Sequence, residues 1–63
     1  MEYTVTVKLN KNDVIEVLTE DGRLVGVVTE SEVDYVKVFI EDYNRTITYT
    51  RADIHLLNPI HNA

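Results

Sequence analysis

Residues 13–30 read Asp13-Val14-Ile15-Glu16-Val17-Leu18-Thr19-Glu20-Asp21-Gly22-Arg23-Leu24-Val25-Gly26-Val27-Val28-Thr29-Glu30. Two runs rich in β-branched residues flank Asp21-Gly22, and Gly26 lies inside the second run. An Asp-Gly pair between such runs is the strongest short-range signal for a β-hairpin. A glycine within a strand marks a bulge or a sharp bend. The stretch predicts strands over 14–19 and 23–29, with Gly26 as the bend that lets one strand serve two sides of a small closed barrel.

Working outward, residues 3–9 alternate, with Tyr3, Val5, Val7 and Leu9 on one face and Thr4, Thr6 and Lys8 on the other. That period of two predicts a half-buried strand. Asn10-Lys11-Asn12-Asp13 is a turn by composition. Downstream, Ser31 to Asp34 reads as a charged loop and Tyr35 to Ile40 as a strand, followed by the turn Asp42-Tyr43-Asn44. Thr46, Thr48 and Thr50 alternate with Ile47 and Tyr49, which predicts a further strand. Thr50-Arg51-Ala52-Asp53 has the shape of a capping box with Asp in place of Glu or Gln, and predicts one helical turn. Ile54-His55-Leu56-Leu57 then reads as a short last strand ended by Asn58-Pro59. No stretch sustains a 3.6-residue period. The expected fold is all-β, a small barrel of five to six strands with one short helical turn before the last, in a single domain spanning 1–63. Closure is the usual way for so few strands to hide their edges.

Composition sets further bounds. The chain has 63 residues. A domain of that size buries only about 60% of the surface its unfolded chain exposes. Such chains lean on disulfides, metals or oligomerisation. Cys is absent, which removes disulfides and thiolate metal sites and suits a reducing compartment. The two histidines, His55 and His61, make a poor metal set, so no metal or cofactor is expected. Oligomerisation is the aid that is left. The N-terminus lacks the charged and apolar regions of a signal peptide, and no apolar run is long enough to span a membrane. A cytoplasmic protein is expected. The formal charge of −5 repels nucleic acid on average without forbidding a local basic patch.

The middle strands carry apolar residues on both faces. Val14 and Leu18 oppose Ile15 and Val17; Leu24 and Val28 oppose Val25 and Val27; Tyr35 and Phe39 oppose Val36, Val38 and Ile40. A barrel this small has one interior, so the second face must meet something else. Scattered surface apolar groups are common. A contiguous exposed patch is not, and marks an interface. Val14, Leu18, Leu24, Val28 and Phe39 are the expected homo-oligomer contact.

The order strand, Asp-Gly turn, Gly-bearing strand, strand, strand, helical turn, short strand resembles the Sm-like (LSm) proteins over residues 13–59. Val14-Ile15-Glu16-Val17-Leu18, Asp21-Gly22-Arg23, Gly26 and Asp34 look like the family's first motif. Tyr49 to Pro59 is similar to the second, a strand, a basic knuckle and a short strand. Ala52 stands where that knuckle carries Gly, and residues 3–9 read as a strand where the family has a helix. The resemblance implies a cyclic ring of subunits joined by edge strands, with any bound RNA near the pore. A Src-homology-type barrel, also seen in Tudor and KOW modules, fits the same strand order.

Arg51 lies at the knuckle that resembles an RNA-contacting loop; its plainer reading is an exposed Arg paired with Asp53 or a nearby carboxylate. Tyr35 and Lys37 occupy the other loop region, where an aromatic beside a base could stack on a nucleobase. Their plainer reading is a surface strand with a Tyr at an interface. Glu30, Glu32 and Asp34 share a face in an extended chain and could hold a hard cation, though a solvated acidic loop reads better. Asn44-Arg45-Thr46 matches a glycosylation acceptor and reads as a turn. Catalysis finds no support: Ser31 is the one serine, and no phosphate loop or zinc spacing is present. The sequence therefore points to a non-enzymatic, Sm-like oligomeric assembly or binding module, with RNA as one ligand. The alternative is an adaptor whose acidic surface docks a protein partner.

Overall fold

The computed structural model describes residues 9–60. Apart from Leu9, the strand expected over 3–9 lies outside the described residues. Five strands form one antiparallel sheet: β1 (Val14–Thr19), β2 (Gly22–Ser31), β3 (Tyr35–Ile40), β4 (Arg45–Thr50) and β5 (Leu57–Pro59). Their order across the sheet is β4-β3-β2-β1-β5. The fold is all-β, as the alternation requires. β4 and β5 are the lateral strands of an open sheet, so the expected barrel is not closed among the described residues. The mismatch between a six-residue β4 and a three-residue β5 ending in proline leaves little to close it with.

The β1–β2 hairpin pairs Thr19 with Gly22 and Val14 with Val27. Its turn differs from the expected Asp-Gly pair. Gly22 has φ of +94°, whereas Asp21 is not among the residues with positive φ. A two-residue type I′ turn needs both central residues there; a turn followed by one left-handed residue needs only the glycine. Glu20 and Asp21 thus make the reversal, and Gly22 absorbs the left-handed step. Thr19 Oγ1 clamps it, accepting from the Asp21 N–H at 3.0 Å and donating to the Gly22 carbonyl at 2.8 Å. Tyr43 braces the same turn, its hydroxyl donating to Asp21 Oδ2 at 2.6 Å.

Gly26 carries no bulge: it pairs in regular register with Ile15 on one side and Ile40 on the other. The irregularity in the β2–β3 ladder falls between Val28 and Glu30, leaving Thr29 as the extra residue. Gly26 instead marks a close approach. A Cβ there would lie 2.5 Å from Val38 Cγ1 and 3.2 Å from the Phe39 carbonyl oxygen. The Val38 side chain occupies the room that a side chain at 26 would need. Beyond the bulge the pleat of β2 shifts by one residue: Gly26 and Val28 face the core before it, and Ser31 lies beside buried Val36 after it.

The core face gathers Ile15, Val17, Val28, Val36, Val38, Ile40, Tyr49 and Leu57, closed by Leu9. Leu24, Tyr43, Ile47, Ile54 and Leu56 pack around it half-buried. The 10–13 turn forms as expected. Asn10 N–H donates to Asp13 Oδ2 at 2.8 Å, and Asn12 takes φ of +78°. Ser31 Oγ ties in the start of the described chain, donating to the Leu9 carbonyl at 2.6 Å.

The segment after β4 departs from expectation by about one turn. Residues 51–53 are a turn, Ile54–Leu56 form the short 3₁₀ helix, and the strand starts only at Leu57. The capping box is not made, because Asp53 gives no side-chain cap; the Asp53 N–H bonds the Thr50 carbonyl at 3.0 Å instead. His55 therefore lies on the 3₁₀ turn rather than on the last strand. Pro59 ends β5 from within, beside Ile15. A proline costs nothing at a lateral strand where its missing N–H would face outward.

Candidate binding surface

The register defines what the face away from the core presents. Val14 lies opposite Val27, and Val27 opposite Phe39, so one apolar row crosses three strands. Val25 lies opposite Glu16, and Leu18 opposite Arg23. Val14 is 47% exposed, Leu18 52% and Val25 56%; Val27 and Phe39 are half-buried. Of the residues expected at an interface, Val14, Leu18 and Phe39 lie on this face. The expectation is corrected for Leu24 and Val28. Val28 is fully buried in the core, and Leu24 packs against that core from the same face of β2. Val25 and Val27 take their places outside.

The reason is Gly26. The core side of β2 reads Leu24-Gly26-Val28, with an empty position at its centre that Val38 fills. The outer side reads Val25-Val27, so each side carries two apolar side chains. A side-chain count does not choose between the faces, because the space over Gly26 belongs to the neighbouring strand.

Arg23, Val25, Val27, Phe39, Glu41 and Asp42 line a shallow groove of about 350 Å³ on this surface. Arg23 Nη1 stands 3.7 Å from Glu16 Oε1, and both groups are solvent-accessible. Screening leaves such a pair worth little. Glu41 and Asp42 belong to the 3₁₀ turn Glu41–Tyr43, where no basic residue offsets them. That turn ends at Asn44 in the left-handed region, with φ of +51°, which accounts for the Asn of the acceptor-like motif.

The expected nucleic-acid residues come to one end of the β3–β4 ladder. Tyr35 pairs with Thr50, Lys37 with Thr48, and Arg51 follows Thr50 directly in an exposed turn. Tyr35 is already engaged. Its hydroxyl donates to Glu30 Oε2. Lys37 Nζ lies 5.8 Å from the Tyr35 ring centroid, within cation–π reach. Thr29, the bulge residue, donates to the Lys37 carbonyl at 3.3 Å. The Glu30 hydrogen bond, partial desolvation and the charges of Glu30, Glu32 and Asp34 push the Tyr35 hydroxyl from 10.0 up to about 12. The three carboxylates considered for a cation thus surround Tyr35. Among the described residues, no three His, Cys, Asp or Glu side chains converge as metal ligands would.

No helix among the described residues is long and apolar enough to cross a membrane. Comparison with family models, curated proteins and solved structures gives no match.

Proposed function

We propose that this chain is a non-enzymatic assembly and binding module, Sm-like in organisation, that works as a homo-oligomer. The observation that carries this reading is the apolar row Val14–Val27–Phe39, flanked by exposed Val25 and Leu18, on a sheet whose lateral strands are both open among the described residues. The core face already occupies one side of the sheet, and among the described residues nothing covers the row on the other. A second copy would cover it and would raise the buried fraction that so short a chain lacks. The strand order and the 3₁₀ turn before the last strand support the Sm-like or Src-homology-like organisation. Light scattering across a concentration series tests the reading. The wild type is expected above monomer mass at micromolar concentration. Val25→Lys is expected to lower that mass, keep the wild type's far-UV signal, and melt at a temperature that no longer rises with concentration. A monomer at every concentration contradicts the proposal.

RNA binding is the second reading, favoured by the convergence of Tyr35, Lys37 and Arg51 at one sheet end. Glu30, Glu32 and Asp34 at the same end oppose a phosphate backbone. Binding of U- or A-rich oligonucleotides that falls with salt and with Arg51→Ala would support it. No binding at low salt would leave assembly, or the docking of a protein partner on the acidic surface, as the role.

A further inference from the structure

β4 and β5 are each bonded to only one neighbour among the described residues, but their free edges are unequal. β4 runs six residues in unbroken register with β3, from Ile40 beside Arg45 to Tyr35 beside Thr50. β5 runs three, and its Pro59 has no N–H to offer. A free edge is a row of unmet donors and acceptors, which natural sheets blunt with brevity, proline, lysine or bulges. β5 carries two of these devices. Thr46–Thr50 carries none.

We propose that β4 pairs antiparallel with β4 of a second copy about a two-fold axis at Thr48, joining two five-stranded sheets into one. This rests on the self-association reading above and adds to it a second contact, at the sheet edge rather than on the outer face. A contact between β4 and another copy's β5 would meet at most three of the six β4 residues, one of them opposite a proline. Among the described strands with a free edge, β4 itself is the one of matching length with free N–H groups.

The side chains fit the same register. Thr48 meets the second copy's Thr48, and Thr46 meets its Thr50; all three threonines are exposed in the single chain. Cross-strand threonine pairs are favourable. On the core side, half-buried Ile47 falls beside the second copy's Tyr49. At each end the register sets Arg51 of one copy opposite Arg45 of the other, a like-charge pair that costs stability, with Glu41, Asp42 and Asp53 nearby along the chain. The contact is isologous and uses its own edge up, so by itself it joins two copies and no more.

The chain has no cysteine, so Thr48→Cys places one thiol at the proposed axis. Oxidation of dilute T48C is expected to give a covalent dimer with the far-UV signal of the wild type. Asn58→Cys, on β5, is expected to stay uncross-linked under the same conditions. Thr48→Lys sets two ammonium groups against each other at the axis. It is expected to weaken association by about tenfold or more, with the melting temperature of the monomer retained. Cross-linking only in mixtures of T48C with N58C would overturn the two-fold geometry and leave self-association standing. An oligomeric wild type whose T48C variant does not cross-link would do the same. A monomeric wild type together with an uncross-linked T48C would overturn both.

Discussion

Val25 and Val28 stand three residues apart on β2, yet Val28 is fully buried and Val25 is 56% exposed. The pattern repeats on β1, where Ile15 has no exposed surface and its neighbour Val14 is 47% exposed. The two faces are made of similar residues and are distinguished by what their neighbours do. The core face interlocks: Val38 enters the space over Gly26, Tyr43 folds back to Asp21, and Leu9 is tied to Ser31. The outer face has apolar area without such interlocking. Apolar patterning therefore nominates two faces, and packing chooses between them.

The sharpest way to test this contrast is a pair of adjacent truncations. Ile15→Ala is expected to cost about 2–5 kcal/mol, enough to unfold most of a marginally stable domain. Val14→Ala is expected to change stability of the monomer by no more than about 0.5 kcal/mol. Chemical denaturation of the two variants reads both numbers, and equal losses would erase the distinction between the faces. Gly26→Ala comes next, at about 1–3 kcal/mol, because its Cβ meets a fully buried Val38. Adding Val38→Ala should recover part of that loss, so the double variant should be more stable than the sum of the singles implies. Strict additivity would mean that Val38 does not fill the space over Gly26.

A smaller effect is expected at the hairpin. Gly22→Ala forces a side chain into φ of +94° with no contact to strain against, and should cost about 1 kcal/mol from the backbone alone. A neutral result would show that the turn can reform without its left-handed residue. The smallest effect belongs to Tyr35 on the outer face. Its pKa is raised in the folded chain, so the fold holds this proton more tightly than the unfolded chain does. That contribution is complete below pH 10 and is lost as pH rises towards about 12. Tyr35→Phe should flatten the fall of stability over that alkaline window and remove the last step from the tyrosinate absorbance titration. An unchanged titration would show that Glu30 does not hold the hydroxyl in solution.

Much of the fold was legible because the alternation in β1, β3 and β4 and the glycine at 22 act locally. The 10–13 turn and the strand at 35–40 follow directly from residue type. The turn type was not legible, since Asp-Gly suits either a two-residue loop or a turn closed by one left-handed glycine. The inward face of β2 was hidden by Gly26, whose meaning depends on Val38 twelve residues away in the chain. The bulge fell at Thr29, an ordinary strand residue, and nothing in its type announces an unpaired position. The tightening after β4 into a 3₁₀ turn likewise came from backbone bonds at Thr50 and Asp53 rather than from the capping residues that suggested a helix. At the candidate surface, Arg51, Tyr35 and Lys37 do gather at one end, while the carboxylates that surround Tyr35 were visible in sequence only as a charged loop.

The central claim is that the second apolar face serves assembly, and particle mass by multi-angle light scattering tests it most directly. The wild type is predicted to exceed monomer mass at micromolar concentration, and Val25→Lys is predicted to form smaller particles that keep the wild type's far-UV signal. A wild type that stays monomeric up to high micromolar concentration, or a Val25→Lys variant of identical mass, would contradict it.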